Sequence, residues 1–522
     1  MMRRLTVSLF AVLLAVSASP AAAATFRWAY DSDVASLDPY TRNETLQLSL
    51  LGNVYEPLIR RGRALQLEPA LATGWRQVAP LIWRFELRPG VRFQDGAPFG
   101  ADDVVFSYRR AIAAGSKIAV ALAAIRDVRA VDAHTVDIIT AMPDPTLPEE
   151  IVRWDIMSAA WCRTHGAEQI AAADYADDHA DGTGPFAVES RVPGEQTVLV
   201  ANPNWWGKPA GNVDRAVFRP IADNAARLAA LTAGTVDMIA SVPPDDLGPL
   251  AQTPGVRVVH VAGTRTIVLG FRHVRMVKIP YHPARINPLA DRRVRAAFAQ
   301  AIDEKAIVTT AMRGLATPAG LIVGPGVRGF DPALNERPTY DPAAARRLLA
   351  AAGYPAGFAL TMDCPNDRYV NDAAICVAVA ADLAKIGVRV TLLAQPRSQY
   401  FAKLLDPGRG ADFYLLGWRP ANDDALDALT NLAATRSDRL HTGAFNVGGY
   451  SNPALDSLIA RAQGESLGKA RAAMLRTALA MVKDDVVFIP LHQSDVVWAV
   501  RDNVDAISRG DGSFALSDVR MK

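Results

Sequence analysis

An α/β architecture spread over two or three domains is what this sequence predicts, on three observations. The chain has 522 residues, whereas a single hydrophobic core stops growing at roughly 250–300. Short runs of alternating apolar and polar residues recur between longer amphipathic or alanine-rich stretches, the pattern of strands alternating with helices. One stretch, from about residue 57 to 180, breaks that pattern with closely spaced hairpin signals and reads as a separate α+β insertion.

The N-terminal residues set the compartment. Arg3 and Arg4 precede an uncharged apolar run from Leu5 to Val16, then small residues from Ser17 to Ala24. That order is a secretory signal peptide over residues 1–24, its apolar run well short of the roughly 20 residues a membrane-spanning helix needs. The only cysteines are Cys162, Cys364 and Cys376. None follows the small-residue segment, so a soluble periplasmic protein is expected, not a lipoprotein. Removing the leader takes two of 56 basic residues and leaves 54 against 54 acidic ones. Such a balance implies no nucleic acid or other polyanion as partner. In an oxidising compartment three cysteines allow one disulfide and leave one thiol over. Cys364 and Cys376 lie closest in sequence, and they read either as a bridge or as two small buried apolar side chains.

Strands are expected at Phe26 to Tyr30, Trp83 to Leu87, Thr135 to Ile139, Thr197 to Val200, Val256 to Val261, Arg389 to Leu393 and Phe413 to Gly417. Helices are expected at Asp291 to Thr310, Pro342 to Ala352, Asp372 to Ile386 and Pro453 to Ala462. Asp341-Pro342 and Asn452-Pro453 each place a capping side chain before a proline at the first helical position.

Chemistry-bearing motifs are missing. The chain has no phosphate-binding G-x-x-x-x-G-K-[ST], no H-E-x-x-H, no C-x-x-C and no G-x-S-x-G, and its eight histidines are scattered. The acidic run Asp174, Asp177, Asp178, His179, Asp181 before Gly182 lacks the glutamate an EF-hand needs, since Val188 stands there, so it reads as a solvated loop. No catalytic residue, metal or cofactor is expected.

Several segments, in one order, resemble the family 5 solute-binding proteins, the dipeptide, oligopeptide and nickel receptors. They include Ser36-Leu37-Asp38-Pro39, Val54-Tyr55-Glu56-Pro57-Leu58, the stretch Phe85-Glu86-Leu87-Arg88-Pro89-Gly90-Val91-Arg92-Phe93, Ala101-Asp102-Asp103-Val104, Gly182-Thr183-Gly184-Pro185-Phe186, Asn202-Pro203-Asn204-Trp205-Trp206, Leu416-Gly417-Trp418 and Tyr450-Ser451-Asn452-Pro453. The resemblance implies a two-lobed periplasmic binding protein of the type II-like clamp (cluster C) with an extra α+β domain. Lobe I is then residues 25–56, 184–265 and 490–522, the extra domain 57–183, and lobe II 266–489. Gly182-Thr183-Gly184-Pro185 reads as a crossover between lobes or as a plain tight turn.

The function so implied is that of a receptor, a monomer without enzymatic turnover, carrying a peptide-like, opine-like or other small polar solute to an inner-membrane ABC permease. A secreted hydrolase or stress protein reusing the fold is the alternative. By resemblance the solute is held by Thr45, Gln47, Asn366, Arg368, Tyr369, Trp418, Arg419, Asp423 and Asp424. One departure bears on the solute. Peptide-binding members of the family carry an aspartate three residues after the Gly-Trp tryptophan, where it pairs with the peptide's α-ammonium group, and here that position is Ala421, preceded by Arg419-Pro420. The departure favours a solute that needs no free α-amine: a blocked or modified peptide, an opine-like conjugate or a small anion. An unmodified peptide held by Asp423 or Asp424 is the other reading. N-terminal sequencing of protein released by osmotic shock is expected to read from Ala24 or Thr25; an acylated, membrane-bound product would contradict the leader assignment.

Overall fold

The computed structural model describes residues 24–522, except 42–43, 64, 172–173, 241, 275, 280–281, 407–410, 441 and 507–508. Apart from Ala24, the expected signal peptide lies outside the described residues.

Two large sheets organise the chain. The first is seven-stranded and is centred on Ala24–Tyr30. This strand pairs in parallel with Val213–Pro220 on one side, with Trp28 opposite Phe218, and with Met238–Ala240 on the other. Its apolar residues interlock, the Trp28 ring lying 5.3 Å from that of Phe218 and 5.6 Å from that of Phe514. The second sheet is six-stranded, in the order Ala316–Pro318, Phe488–Ser494, Thr266–Phe271, Phe413–Trp418, Ala359–Pro365, Arg389–Gln395. Its central strand Thr266–Phe271 is buried at every residue, as a strand covered on both faces must be.

The chain crosses between these sheets twice. Residues 262–265 join Val256–Val261 to Thr266–Phe271, and Asp495 joins Phe488–Ser494 to Val496–Arg501. The crossings lie side by side. Ser494 N donates to Arg265 O at 3.3 Å, and a Cβ on Gly263 would sit 2.2 Å from Ser494 O, so only glycine permits the approach.

A four-stranded antiparallel sheet, Ala72–Ala79, Ile82–Leu87, Thr135–Thr140 and Ile125–Asp132 in spatial order 1-2-4-3 along the chain, carries the helix Ala101–Ala111 on its apolar face. Asp103 closes that helix's N-terminus, accepting from Gly100 N and Ala159 N, each at 2.9 Å. One continuous apolar core runs from Phe26 and Trp28 of the seven-stranded sheet to Phe85, Val104 and Ile138 here. Inside it Arg110 Nη2 meets Asp38 Oδ2 at 2.7 Å and Asp174 Oδ2 at 3.0 Å, all three side chains being at most 2% exposed.

Three expectations need correction. The helix expected from Asp291 to Thr310 is two helices, Arg292–Ala301 and Glu304–Thr310, because Asp303 breaks the run and caps the second, accepting from Ala306 N at 3.0 Å. The acidic run is not a solvated loop throughout: Asp174 is buried against Arg110, and Asp181 is buried and accepts from Asp95 N. Gly182-Thr183-Gly184-Pro185 does not cross between the two large sheets. It is pinned to the Val54 segment, where Gly184 N donates to Val54 O at 2.9 Å and an added Cβ would meet that oxygen at 2.6 Å.

Cys364 on the strand Ala359–Pro365 and Cys376 on the helix Asp372–Ala384 form a disulfide, and Cys162 is free and buried. Replacing both bridged cysteines by serine is expected to lower stability by about 3 kcal/mol, from loop-closure entropy alone. Denaturant unfolding of the oxidised parent and the double variant checks this.

Candidate functional site: a cleft between the two large sheets

A cleft of about 590 Å3 lies over the two crossings. Tyr30, Asp31 and Val242 wall it on the seven-stranded side, Arg368, Tyr369 and Arg419 on the six-stranded side, and Gly263, Arg265 and Asp495 form its floor. A second chamber of about 380 Å3 continues from it, between the segment Glu56 to Gly62 and the Arg419, Ala421, Asp423 segment. Thr45, Arg419 and Asp511 line both.

Tyr369 is held by a built loop. The Asp372 carboxylate Oδ2 accepts from Arg368 N and Tyr369 N, each at 3.0 Å. The disulfide ties the strand before this loop to the helix after it. The tyrosine ring lies against Gly417, where an added Cβ would stand 2.6 Å from Tyr369 Cε1. Two guanidiniums flank this ring, Arg368 Cζ at 5.3 Å and Arg265 Cζ at 5.9 Å from its centroid. Neither has a carboxylate within ion-pair distance among the described residues. Burial, and then the charge of Arg368, lower the pKa of Arg265. Arg419 Nη1 donates to the main-chain oxygen of Asp511 at 3.1 Å, and among the described residues it too has no ion pair. Uncompensated cations around an aromatic face are what an anionic group would complete.

The second chamber has buried acids. Trp205 Nε1 and Trp206 Nε1 donate to the Glu56 carboxylate at 3.2 and 2.7 Å, and Arg88 stacks on Trp206 with Cζ 3.8 Å from the ring centroid. Burial raises the pKa of Glu56. Burial, then the charge of Glu56, push Asp155 up to about 7.

The family model for the bacterial extracellular solute-binding proteins, family 5, Middle, matches residues 66–438. The chain belongs to that family. This family 5 protein is a solute-binding receptor of the ABC-importer class. It is 27% identical over 504 residues to the glutathione-binding protein GsiB of Salmonella typhimurium, covering 95% of this chain and 94% of that one. Among solved structures, HbpA2 from Haemophilus parasuis matches at TM-score 0.81 with 24% identity, over 96% of this chain and 100% of that one. AgaA of A. tumefaciens R10, in complex with agropinic acid, matches at TM-score 0.75 with 21% identity, over 96% and 99%. These likenesses show the two-lobed type II-like fold. Among the described residues no helix is long and apolar enough to cross a membrane, and no group of three or more His, Cys, Asp or Glu side chains could hold a metal ion.

The structure divides the residues expected at the site. Thr45, Arg368, Tyr369, Arg419 and Asp423 line one or both chambers. Four do not. Gln47 is buried, its Nε2 donating to Asp38 O at 3.1 Å. Asn366 is exposed outside both chambers. The Trp418 indole donates to Asp427 Oδ1 at 2.8 Å and packs edge-on to Phe445 at 4.9 Å, facing the core of its own lobe. Asp424 is 0% exposed and holds Arg471 at 2.6 and 3.1 Å while capping a helix through Leu426 N. Its neighbour Asp423, at φ 51°, turns the other way, with Oδ2 3.4 Å from Arg61 Nε. Arg265, Asp31 and Asp511 went unread, because nothing in their local sequence marks them and only the fold brings them to the cleft.

Because the pKa of Asp155 is raised in the folded state, its contribution to stability is full below the unfolded value near 4 and is lost as pH rises through about 7. Asp155→Asn is therefore expected to become progressively more stable than the parent across that window, by up to about 1.4 kcal/mol per pH unit. Paired urea melts from pH 4 to 8 check the slope, and a pH-independent difference would refute the assignment.

Proposed function

We propose that this receptor is a periplasmic monomer that closes its lobes on an anionic, peptide-like solute, passes it unchanged to an inner-membrane ABC permease, and makes no use of a free α-amine. The observation that carries this reading is the pair of guanidiniums, Arg265 and Arg368, flanking Tyr369 without carboxylate partners. A solute carboxylate set between them would be held bidentately while an apolar or planar portion stacks on the tyrosine. Arg419 and Thr45, at the junction of the chambers, would take a second polar group.

Three facts argue against an ammonium anchor in the usual place. Ala421 offers no carboxylate, and Asp423 already faces Arg61. Asp424, the other candidate, is spent on Arg471 and Arg328. A buried ammonium without a carboxylate costs several kcal/mol. Glutathione, named for a relative 27% identical to this chain, carries two carboxylates, which supports the anionic part of this reading alone, because it also carries a free α-ammonium group. The second reading, an unmodified peptide, rests on Asp31 across the cleft or on Asp423 released from Arg61.

A thermal-shift panel of matched peptides with free and acetylated N-termini, each as acid and as carboxamide, tests this. Acetylation is expected to be tolerated, amidation to weaken binding about tenfold or more, and Arg265→Gln and Arg368→Gln to reproduce that loss. The bound solute is expected to be recovered intact; its conversion would point to the hydrolase alternative. Tight binding of free peptides, abolished by acetylation and indifferent to both arginines, would overturn the reading.

A further inference from the structure

The walls of the second chamber hold one acid that nothing in the chain answers. Glu68, Asp423 and Asp518 each face an arginine, and Asp511 accepts from Ser513. Glu56 accepts from two indoles. The Asp155 carboxylate accepts from no group among the described residues, although Asp155 is only 6% exposed. Its oxygens are not sealed off: they keep open surface on the chamber that the residue lines.

The segment that carries this carboxylate is fixed by its main chain. Asp155 stands opposite Pro57 in a single antiparallel bridge, Ile156 N donates to Glu56 O at 3.0 Å, and Tyr40 Oη donates to Asp155 O at 2.7 Å. Asp155 and Glu56 are thereby neighbours, and burial and the charge of Glu56 raise the Asp155 pKa with no cation of the chain offsetting them. Arg153 and Lys208 also line the chamber, but neither forms an ion pair with it. A buried acceptor without a partner asks for a donor, and one beside a second acid is best answered by a cation. A hard metal ion would need about six oxygens, whereas those of Glu56 are taken by the indoles. An organic cation suits the place better, since one ammonium or guanidinium brings several donors of its own and Trp205 adds an aromatic wall. Thr45, Arg419 and Asp511 line both spaces, so that cation can belong to the molecule whose carboxylate enters the cleft.

Resting on the reading that a solute carboxylate sits between Arg265 and Arg368, we propose that the second chamber takes a cationic side chain of the same solute, an alkylammonium or guanidinium, against the open carboxylate of Asp155. The solute is then bipolar, with its negative end in the cleft and its positive end in the chamber.

The test uses the mature full-length protein and N-acetylated tripeptides with arginine, or its neutral isostere citrulline, at each position in turn, as acids and as carboxamides. At one position arginine is expected to bind about tenfold or more tighter than citrulline. Asp155→Asn should erase that difference and leave the citrulline peptide unaffected, while Arg368→Gln should weaken both alike. A crystal structure of the parent with the preferred peptide should place the guanidinium within ion-pair distance of Asp155, a readout that stands even if Asp155→Asn fails to fold. Equal binding of arginine and citrulline at every position, with amidation still costly, would overturn this proposal and spare the cleft reading. A preference for arginine that survives Asp155→Asn, or a guanidinium seated elsewhere, would overturn it as well. Indifference to amidation would instead remove the cleft reading, and the proposal with it.

Discussion

Everything that this receptor does with solute depends on the chain passing only twice between its two large sheets, at residues 262–265 and at Asp495. Two adjacent strands of contact resist shear yet leave rotation about their common line comparatively free, which is the geometry of a hinge. The glycine at 263 is what lets them touch. Since Arg265 belongs to one crossing and also points its charge at the cleft, a bound anion would meet the hinge itself and not merely the walls that swing on it.

Rotation is useful only if each side moves as a unit. On one side the Arg110 guanidinium, shared between Asp38 and Asp174, joins the loop after the first strand to the inserted domain inside one continuous core. Removing one partner from such a buried group leaves a charge uncompensated, which costs far more than the intact set contributes. The set therefore acts chiefly as a registry device. On the other side Asp424 plays the matching part, with Arg471 and Arg328, while Arg328 also reaches across to Glu149 of the inserted domain at 2.6 Å, a contact between the two sides that rotation would have to break. Adjacent aspartates thus divide the labour, Asp424 inward and Asp423 toward the solute chamber.

That division shows where sequence reasoning stops. Strands such as Val256–Val261 and Phe413–Trp418 were legible as short apolar runs, the second buried at five of its six residues. Helix starts at Asp341 and Asn452 were legible because capping is local. The break at Asp303 was missed because the apolar period continues through it. For the cleft, Thr45, Arg368, Tyr369, Arg419 and Asp423 could be placed by family resemblance, yet the same reasoning also put forward Asp424 and Trp418, since a one-residue turn of the backbone, here φ 51° at Asp423, decides which way a side chain faces. Arg265 had no local signal at all; its role arises from where two distant strands are brought together.

The disulfide between Cys364 and Cys376 has a consequence for when the protein can work. It brackets the loop that presents Arg368 and Tyr369 to the cleft, so the loop is drawn tight only where thiols oxidise. A loop fixed before the solute arrives leaves less entropy to lose on capture. In the reducing cytoplasm the same chain would present a slacker loop and a poorer grip.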